Sequence, residues 1–560
     1  MKGGGRSFAA SPVVVANRPV DGMWDDELVS CVVDENVGLP DTAVLTYRDG
    51  DRELLTKTGI TIGSPLRISV ASAGTRGRES LFSGEVTALE MVVDGTGAYT
   101  VVRAMSKAHR LFRGRRVEAF QNMTAAAVVA KVAKNAGLAV GKVEASRITY
   151  KHLSQPGVSD WDFLQTLARE HGAVVRVDAR GRLEFTKLRP AAGAPPPTTS
   201  AAVNPLVLEF GRNLLVLRAA LSSAEQAAGV QVRGWDMARK KPLVATRENK
   251  PSTTTVPGLR ASVAAKAFRT RNRTLVTDVP YATQAEAESA ARSLEASISA
   301  GFVEFEAVAE GNPKLRAGVP IALGNAGKFT GRYTPTGVTH VLEPDRGFRT
   351  TVVVSATPDR SLAGLVAGDP APARMPGLAT AIVADIKEEG GQRGWVKLTF
   401  PWLDGKYVTD WVRTVQLGGV GGGGVFSPDV NDEVLVGFEQ GSLDRPYVIG
   451  GLYNGVDAPS PHDQPLVDRR SGKVNRRSLV SRKGNRLELL DGPRTSGVRL
   501  ASGDKRLAVE VDERRGRLEL TVRGPGGRGV LSSLVLDGTG ITLDARTGVV
   551  RVKGRFIQLN

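Results

Sequence analysis

The residue types that most often carry enzyme chemistry are thinly spread in this sequence. Its single cysteine is Cys31, and its five histidines are His109, His152, His171, His340 and His462. No two histidines have the i, i+4 spacing of a zinc-binding helix, and one cysteine forms neither a thiolate metal site nor an intrachain disulfide. We therefore predict no catalytic residue, no metal site and no cofactor-binding residue. His171, near the end of a predicted helix, is expected to be a favourable partner of the helix dipole.

Two glycine-rich stretches imitate nucleotide-binding motifs. Gly324 to Phe329 resembles part of a phosphate loop, but Phe329 stands where the motif needs Ser or Thr. Gly419, Gly421 and Gly424 have the spacing of a dinucleotide fingerprint. That fingerprint needs a helix N-terminus to hold a pyrophosphate, and no helix is predicted after these glycines. We reject both motifs and interpret the second as a loop of a β-barrel.

The charge balance is strongly basic. Lys and Arg number 75 against 58 Asp and Glu, which gives a net charge of +17. Such a charge suits nucleic acid, an anionic surface or an acidic protein partner, and does not choose among them. The basic patch Arg239-Lys240-Lys241 could touch phosphates, although a solvated loop is the favoured interpretation.

Length and composition limit the architecture. A chain of 560 residues has room for roughly three to five domains. Its 64 glycines, 30 prolines and 5% aromatic residues favour many short strands over long helices. The first residues lack an apolar run of signal-peptide length, and no stretch approaches the ~20 apolar residues of a membrane span. We expect a protein that stays in the cytoplasm until a larger assembly moves it.

The first two regions, residues 1–188 and 189–376, are predicted to be β-barrel-like with a few helices. Asp94-Gly95 is typical of a tight hairpin turn between two strands. Helices with capping residues at their first turn are predicted at Thr124 to Gly137, Ser159 to His171 and Thr283 to Ser299. The second region ends in a linker rich in Ala, Gly and Pro.

Residues 377–458 contain the most regular strand pattern. Five or six short strands alternate apolar and polar residues between Ile382 and Asn454. This number of strands predicts a small oligonucleotide-binding (OB) barrel. Three tryptophans in it could stack on bases, so a nucleic-acid-binding protein is one alternative function. These residues are Trp395, Trp402 and Trp411.

Residues 459–474 are predicted to be a polar linker, and residues 475–560 a strand-rich tail. Its strands each have one apolar and one polar face and lie at Arg486 to Leu489, Val498 to Leu500, Leu507 to Val511, Arg517 to Val522, Leu534 to Leu536, Ile541 to Leu543 and Val549 to Lys553. No helical pattern follows that could cover the apolar face, so further copies of the chain must cover it. Chains wound side by side into a β-helical prism would also leave no open strand edges.

Motifs from three regions resemble the VgrG spike family, which is similar to the fused hub and spike of contractile phage tails. In the order in which that family has them, they are Ala108 to Leu111, Phe120 to Thr124, Ser159 to Leu164, Val396 to Trp402, Trp411 to Arg413, Pro428 to Val436, Asp444 to Asn454 and Gly484 to Asp491. The resemblance covers nearly the whole chain.

The resemblance implies a structural protein rather than an enzyme, namely the central hub and puncturing needle of a contractile injection system. Residues 1–188 and 189–376 would be hub regions I and II, residues 377–458 an OB collar, and residues 475–560 an intertwined trimeric β-helical needle. The implied partners are two further copies, inner-tube rings at the hub, baseplate proteins and an effector cargo. A target membrane would be touched only transiently, and no specific nucleic acid is expected.

The same resemblance implies a location but does not identify the type of contractile system. The protein would be assembled in the cytoplasm into a phage-tail-like particle and released or injected on contraction. Type VI secretion systems, extracellular particles and phage tails share these motifs. The tryptophans of the barrel are then expected to pack inside it or between neighbouring copies.

Two departures from related spikes matter. The linker at 459–474 leaves no room for the lysozyme domain that some phage spikes carry, which disfavours the second alternative function, a spike that degrades cell walls. Some related spikes carry a toxin domain after the needle, and we expect none here, because a short, partly apolar segment follows the tail strands. We expect this segment to bind a separate tip protein of the PAAR-repeat type; its residues are Phe556, Ile557, Gln558, Leu559 and Asn560.

Overall fold

The computed structural model describes residues 12–20, 22–71, 78–223, 226–249, 253–256, 263, 273–356, 374–375, 377–389, 393–419 and 422–558. The chain divides into two compact units, Met1–Leu452 and Tyr453–Asn560. The mainly β fold with a few helices confirms the predicted fold class. Among these residues no helix is both long enough and apolar enough to cross a membrane.

Short strands dominate the first part of the first unit. In chain order its elements are β1 (Pro12–Val15), β2 (Pro19–Val20), α1 (Met23–Asp26), β3 (Leu28–Asn36), β4 (Thr42–Arg48), α2 (Leu54–Thr58), β5 (Pro65–Ala71), β6 (Arg78–Asp94), β7 (Gly97–Met105), β8 (Arg116–Thr124), α3 (Ala125–Asn135), β9 (Ala139–Val143), β10 (Thr149–Val158), α4 (Asp160–His171), β11 (Val174–Val177) and β12 (Arg182–Thr186). The predicted hairpin at Asp94-Gly95 is confirmed, because Asp94 pairs with Gly97 across the β6–β7 turn.

Residues 189–356 continue the alternation of short strands with one long helix. These elements are β13 (Val207–Glu209), β14 (Leu214–Leu221), β15 (Gly229–Asp236), β16 (Lys241–Glu248), β17 (Thr254–Thr255), β18 (Arg273–Val276), α5 (Gln284–Ala300), β19 (Val303–Glu310), β20 (Ile321–Gly324), β21 (Gly331–Tyr333), β22 (Gly337–Glu343) and β23 (Gly347–Val354).

One large sheet joins strands that lie far apart in the sequence. Its order is β14-β19-β23-β22-β3-β4-β7-β6-β5-β1-β2. Strand β22 pairs antiparallel with β3, with His340 opposite Val33. One apolar core beside this sheet contains Leu45 and Ile68, and another contains Phe305, and all three side chains are buried. The ladder between β3 and β22 therefore fastens the beginning of the unit to its middle.

The three predicted helices are confirmed, with their predicted caps. The hydroxyl of Thr124 accepts a hydrogen bond from Ala127 N–H at the start of α3, and that of Ser159 accepts one from Asp162 N–H at the start of α4. Helix α5 begins with a full capping box between Thr283 and Glu286. Such caps satisfy backbone N–H groups that have no partner inside the helix.

The predicted OB barrel is also confirmed. Its strands are β24 (Leu378–Asp385), β25 (Lys397–Thr399), β26 (Arg413–Thr414), β27 (Glu433–Phe438) and β28 (Pro446–Gly451). They are ordered β25-β24-β27-β28-β26, and single bridges from Val396 to Val412 and from Thr399 to Val408 connect the two ends. These bridges close the sheet around a buried apolar core.

The second unit is a seven-stranded antiparallel meander. Its strands, in order, are β29 (Arg476–Val480), β30 (Arg486–Asp491), β31 (Ser496–Ala501), β32 (Leu507–Asp512), β33 (Arg517–Arg523), β34 (Val530–Asp537) and β35 (Gly540–Asp544). The strand predicted at Val549 to Lys553 is wrong: β35 ends the sheet, and the residues after it find no pairing partner in the described part of the chain. Strand β29 was not predicted.

Candidate assembly site

The strand register of the tail sheet separates apolar from polar side chains. Leu489 lies opposite Val498, Val498 opposite Val511, and Val511 opposite Leu518, so these side chains share one face. Exposed residues on this apolar face are Leu479, Leu489, Val498, Leu500, Leu507, Val511, Leu520, Val522, Ile541 and Leu543. A contiguous apolar surface of this size is unusual on a protein that works as a monomer, and marks an interaction site.

The polar face of the same sheet is satisfied by the chain's own groups. Glu488 is buried and contacts His462, which comes from the segment before the first strand. Arg499 forms ion pairs with Asp463 at 2.8 Å and with Glu510 at 3.0 Å. The hydrogen bond from Arg499 lowers the pKa of Asp463 below its usual value. The segment around His462 therefore covers part of the polar face, whereas no described residue of the second unit covers the apolar face.

A second set of contacts ties the OB barrel to the β8–β10 ribbon within the first unit. Ser154 Oγ lies 2.7 Å from Tyr407 Oη and also hydrogen-bonds to Asp444. His152 Nδ1 lies 3.2 Å from Asp444 Oδ1, and Lys151 Nζ lies 2.9 Å from a carboxylate oxygen of the barrel. Burial disfavours the charged form of His152, but the hydrogen bond and charge of Asp444 outweigh it, so the pKa of His152 is raised. These polar contacts hold the barrel in a defined position on the ribbon.

The histidines do not converge on a site. His109 binds Glu85, His340 contacts a threonine hydroxyl, and His462 belongs to the tail. Within the described ranges, no group of three or more His, Cys, Asp or Glu residues is arranged to hold a metal ion.

The expected role of His171 at the helix dipole is wrong. Its Nδ1 accepts a hydrogen bond from the backbone N–H of Ser146, so Nε2 carries the proton and donates to Tyr150 Oη at 2.9 Å. Burial lowers the pKa of His171 to about 4. The ring is therefore neutral at pH 7 and has no charge to place at the end of α4.

The tryptophans of the barrel lie outside its core. Trp395 and Trp411 each precede a buried valine, and alternation along a strand turns them outwards. The side chain of Trp402 is 52% exposed, and its Nε1–H donates to the carbonyl of Thr380 at 2.7 Å. The expectation that these rings pack inside the barrel is wrong. Packing between copies stays a prediction.

The loop interpretations of the second glycine motif and of the basic patch agree with the structure where these residues are described, and the first motif begins at the end of a strand. Gly324 ends β20, and only a single short turn separates it from β21, so the phosphate-loop pattern lacks the required helix. Gly421 of the second motif lies outside the described residues, and no helix follows Gly424 in the described stretch. The patch at Arg239-Lys240-Lys241 is exposed at the turn between β15 and β16.

The predicted tip residues are only partly described. Phe556 is 86% exposed, and Ile557 and Gln558 are also exposed. Leu559 and Asn560 lie outside the described residues. An exposed phenylalanine followed by an exposed isoleucine is compatible with a surface that another protein covers.

Two family models match the chain. One, described as the Alg8 N-terminal domain, matches residues 27–344, which is more than half of the sequence. The other, described as the type VI secretion system and phage-baseplate injector OB domain, matches residues 379–453. The second match spans the five-stranded barrel described above. No curated protein matches the sequence.

Several solved structures are similar to this chain at low sequence identity. The half-lidded PdpA-VgrG complex of Francisella is 10% identical, with 96% of this chain and 88% of that chain covered and a TM-score of 0.51. A type VI secretion component from E. coli, described as similar to the T4 tail proteins gp27 and gp5, is 17% identical, with coverages of 76% and 97% and a TM-score of 0.46. A 43 kDa tail protein of a Shewanella oneidensis prophage is 13% identical, with coverages of 62% and 98% and a TM-score of 0.46.

The OB barrel and the family match at residues 379–453 agree with the motifs seen in the sequence. The fold is similar to that of the PdpA-VgrG complex. The chain belongs to the family of the Alg8 N-terminal domain model and contains a domain that matches the injector OB domain of type VI secretion systems and phage baseplates.

Proposed function

We propose that three copies of this chain form the spike, with the apolar faces of their tail sheets turned towards a common axis. The observation that carries this proposal is the contrast between the two faces of the tail. The polar face is closed by ion pairs and by the segment around His462, while the apolar face leaves Leu500, Leu520 and Ile541 in contact with solvent. Water-exposed leucine and isoleucine side chains are a strong driving force for association.

A closed prism explains the edges as well as the face. Strands β29 and β35 are the two edges of the tail sheet and carry unpaired backbone groups. Pairing each edge with a strand of the next copy removes both edges, as closed β architectures do. A shaft without open edges resists unravelling under load, which suits a part that is driven through an envelope.

The same proposal assigns a role to each of the other regions of the chain. We assign residues 1–188 and 189–376 to the hub, residues 377–458 to an OB collar, 459–474 to a linker and 475–560 to the needle. The hub would bind inner-tube rings and baseplate proteins, and an effector cargo would travel with the particle. The protein acts mechanically in this proposal and needs no catalytic residue, metal or cofactor. Its place is a particle assembled in the cytoplasm.

Mass measurement of the purified full-length chain tests the trimer. Three copies of a 59.4 kDa chain have a mass of about 178 kDa. We expect light scattering after size exclusion to give that mass at micromolar concentration. A folded 59.4 kDa monomer whose tail strands are protected from hydrogen exchange would contradict the proposal, because its apolar face would then be stable in water.

The tip proposal needs its own test. We propose that Phe556 to Asn560 bind a PAAR-type cap, because Phe556 and Ile557 are exposed at the end of the tail. Phe556→Asp together with Ile557→Asp should abolish co-purification of a PAAR-repeat protein and leave the trimer mass unchanged. Unchanged co-purification would contradict this assignment without touching the trimer.

The absence of cell-wall cleavage is tested separately. The purified trimer should leave the turbidity of a peptidoglycan suspension unchanged over hours, with lysozyme as the positive control. A steady fall in turbidity would contradict the mechanical role proposed for this chain.

A further inference from the structure

The three-stranded sheet β16-β15-β18 uses only one of its faces inside the molecule. On the inner face Val230, Val232 and Ala245 pack against Ala287 and Ala291 of helix α5. Side chains alternate along a strand, so the residues between these positions point away from the helix. The outer face has no cover in the described part of the chain.

The outer face carries three exposed apolar side chains. Trp235, Val244 and Leu275 are 43%, 39% and 55% exposed, respectively. The register places them on the same face of three strands: Arg233 on β15 lies opposite Val244 on β16, and Gln231 lies opposite Leu275 on β18, so these apolar side chains flank the polar positions of the central strand. Exposed tryptophan beside aliphatic side chains is typical of a binding surface rather than of a solvated loop.

The charged side chains of this face are mainly basic. One exposed acid, Glu248, shares the face because it pairs with Gly229, which in turn pairs with Arg273. The exposed basic residues are Arg233 and Arg273 on the face and Lys240 and Lys241 at the β15–β16 turn, where Lys241 lies on the helix side. Among the described residues none of these four forms an ion pair within 4.0 Å. The carboxylate of Asp236 accepts backbone N–H bonds from the turn at 2.9 and 3.0 Å, and its partner in an ion pair, at 3.9 Å, is Arg239.

We propose that this surface, named the hairpin face and defined by Arg233, Trp235, Val244, Arg273 and Leu275, binds an acidic protein segment that also carries apolar side chains. Carboxylates would pair with the two guanidinium groups, which suit bidentate binding. Apolar side chains would cover the tryptophan, valine and leucine. The proposal goes beyond the spike assignment, and it holds whether or not the tail forms a trimer.

The composition of the hairpin face favours protein over nucleic acid. Single-stranded nucleic acids are held by successive aromatic rings above a cationic groove. This face has one exposed aromatic ring, that of Trp235, and Val244 and Leu275 offer a base no π surface. A phosphate backbone would pair with the arginines and leave the apolar side chains in water. An acidic segment with alternating apolar residues satisfies both parts.

Fluorescence anisotropy with a defined probe tests the proposal on the full-length protein. The probe is a short, capped, fluorescein-labelled peptide that alternates glutamate and valine. We expect Trp235→Ala, and separately R233E/R273E, to weaken binding by about tenfold or more, and added salt to weaken it further. These positions are exposed, so the melting temperature should stay unchanged. K328E/K406E, a matched charge reversal at exposed sites elsewhere, should bind as the unmodified protein does.

Three results would overturn the proposal. The first is equal peptide affinity for the unmodified protein and both hairpin-face variants. The second is an oligothymidylate of the same charge binding as tightly as the peptide and losing affinity in the same variants, which would assign the face to nucleic acid. The third is tighter binding to phosphatidylglycerol vesicles than to the peptide, which would assign it to a lipid surface.

Discussion

The two faces of the last tail strand provide a sharp test of the spike architecture. Leu543 and Thr542 are neighbours on β35, both are exposed, and strand alternation points them to opposite faces of the sheet. In a single chain a glutamate at either position would meet only water. In the proposed trimer Leu543→Glu places a carboxylate in the apolar interior from each copy, whereas Thr542→Glu places it outside.

The size of the effect follows from the exposure of the leucine. Leu543 is 54% exposed, and full burial of such a side chain contributes about 1.5–3 kcal/mol, so covering the exposed part contributes about 1 kcal/mol per copy. Burying a carboxylate without a partner costs several kcal/mol more. Over three copies the variant loses on the order of 10 kcal/mol of association free energy. That loss corresponds to about seven orders of magnitude in the dissociation constant.

Light scattering at micromolar concentration measures the outcome. We expect Thr542→Glu to keep the trimer mass and Leu543→Glu to give monomers. The circular dichroism spectrum of both variants should show that the strands and helices of the first unit remain folded. A Leu543→Glu trimer that dissociates at the same concentration as the Thr542→Glu trimer would refute the argument, since it would show that this face does not enter an apolar interior.

Two further predictions concern the first unit. Because the pKa of His152 is raised in the folded state, its charge stabilises the barrel junction below its unfolded pKa of about 6.5, and this stability is lost as pH rises through the folded pKa. As the pH rises from about 6.5 through the folded pKa of His152, the melting temperature should therefore fall more steeply in the unmodified protein than in His152→Gln or Asp444→Asn. Equal dependence of the melting temperature on pH in all three proteins would contradict the role of this pair. Gly84→Ala should destabilise the unit by several kcal/mol in urea titrations, because its Cβ would lie 2.1 Å from a backbone oxygen, whereas Gly50→Ala has open space and should have little effect.

Local patterns predicted much of the secondary structure. Thr124, Ser159 and Thr283 each cap a helix where the sequence indicates one, because a cap depends on residues only three positions away. The alternation in the barrel and tail strands was visible for the same reason, since strand faces follow a period of two residues. The strand pattern was enough to predict the OB barrel, whereas its role as the collar of a spike stays a prediction.

Contacts between distant segments could not be predicted in this way. The pairing of β3 with β22 places Val33 opposite His340, and no local pattern indicates that register. His152 and Asp444 are 292 positions apart and meet only because the β8–β10 ribbon packs on the barrel. The neutrality of His171 likewise depends on burial beside Tyr150, which its helix position does not reveal.

The tail shows what the local sequence pattern determines and what only tertiary contacts decide. By itself the sequence determined that each tail strand has an apolar and a polar face, because alternation is a property of neighbouring residues. Only the tertiary structure decided which face the chain covers: His462 and Asp463 fold back onto the polar face, where His462 contacts Glu488 and Asp463 forms an ion pair with Arg499. The apolar face stays in contact with solvent, because none of the described residues of the tail lies over it. Strand alternation could not reveal this, since the burial of a side chain depends on contacts with residues that are distant in the sequence.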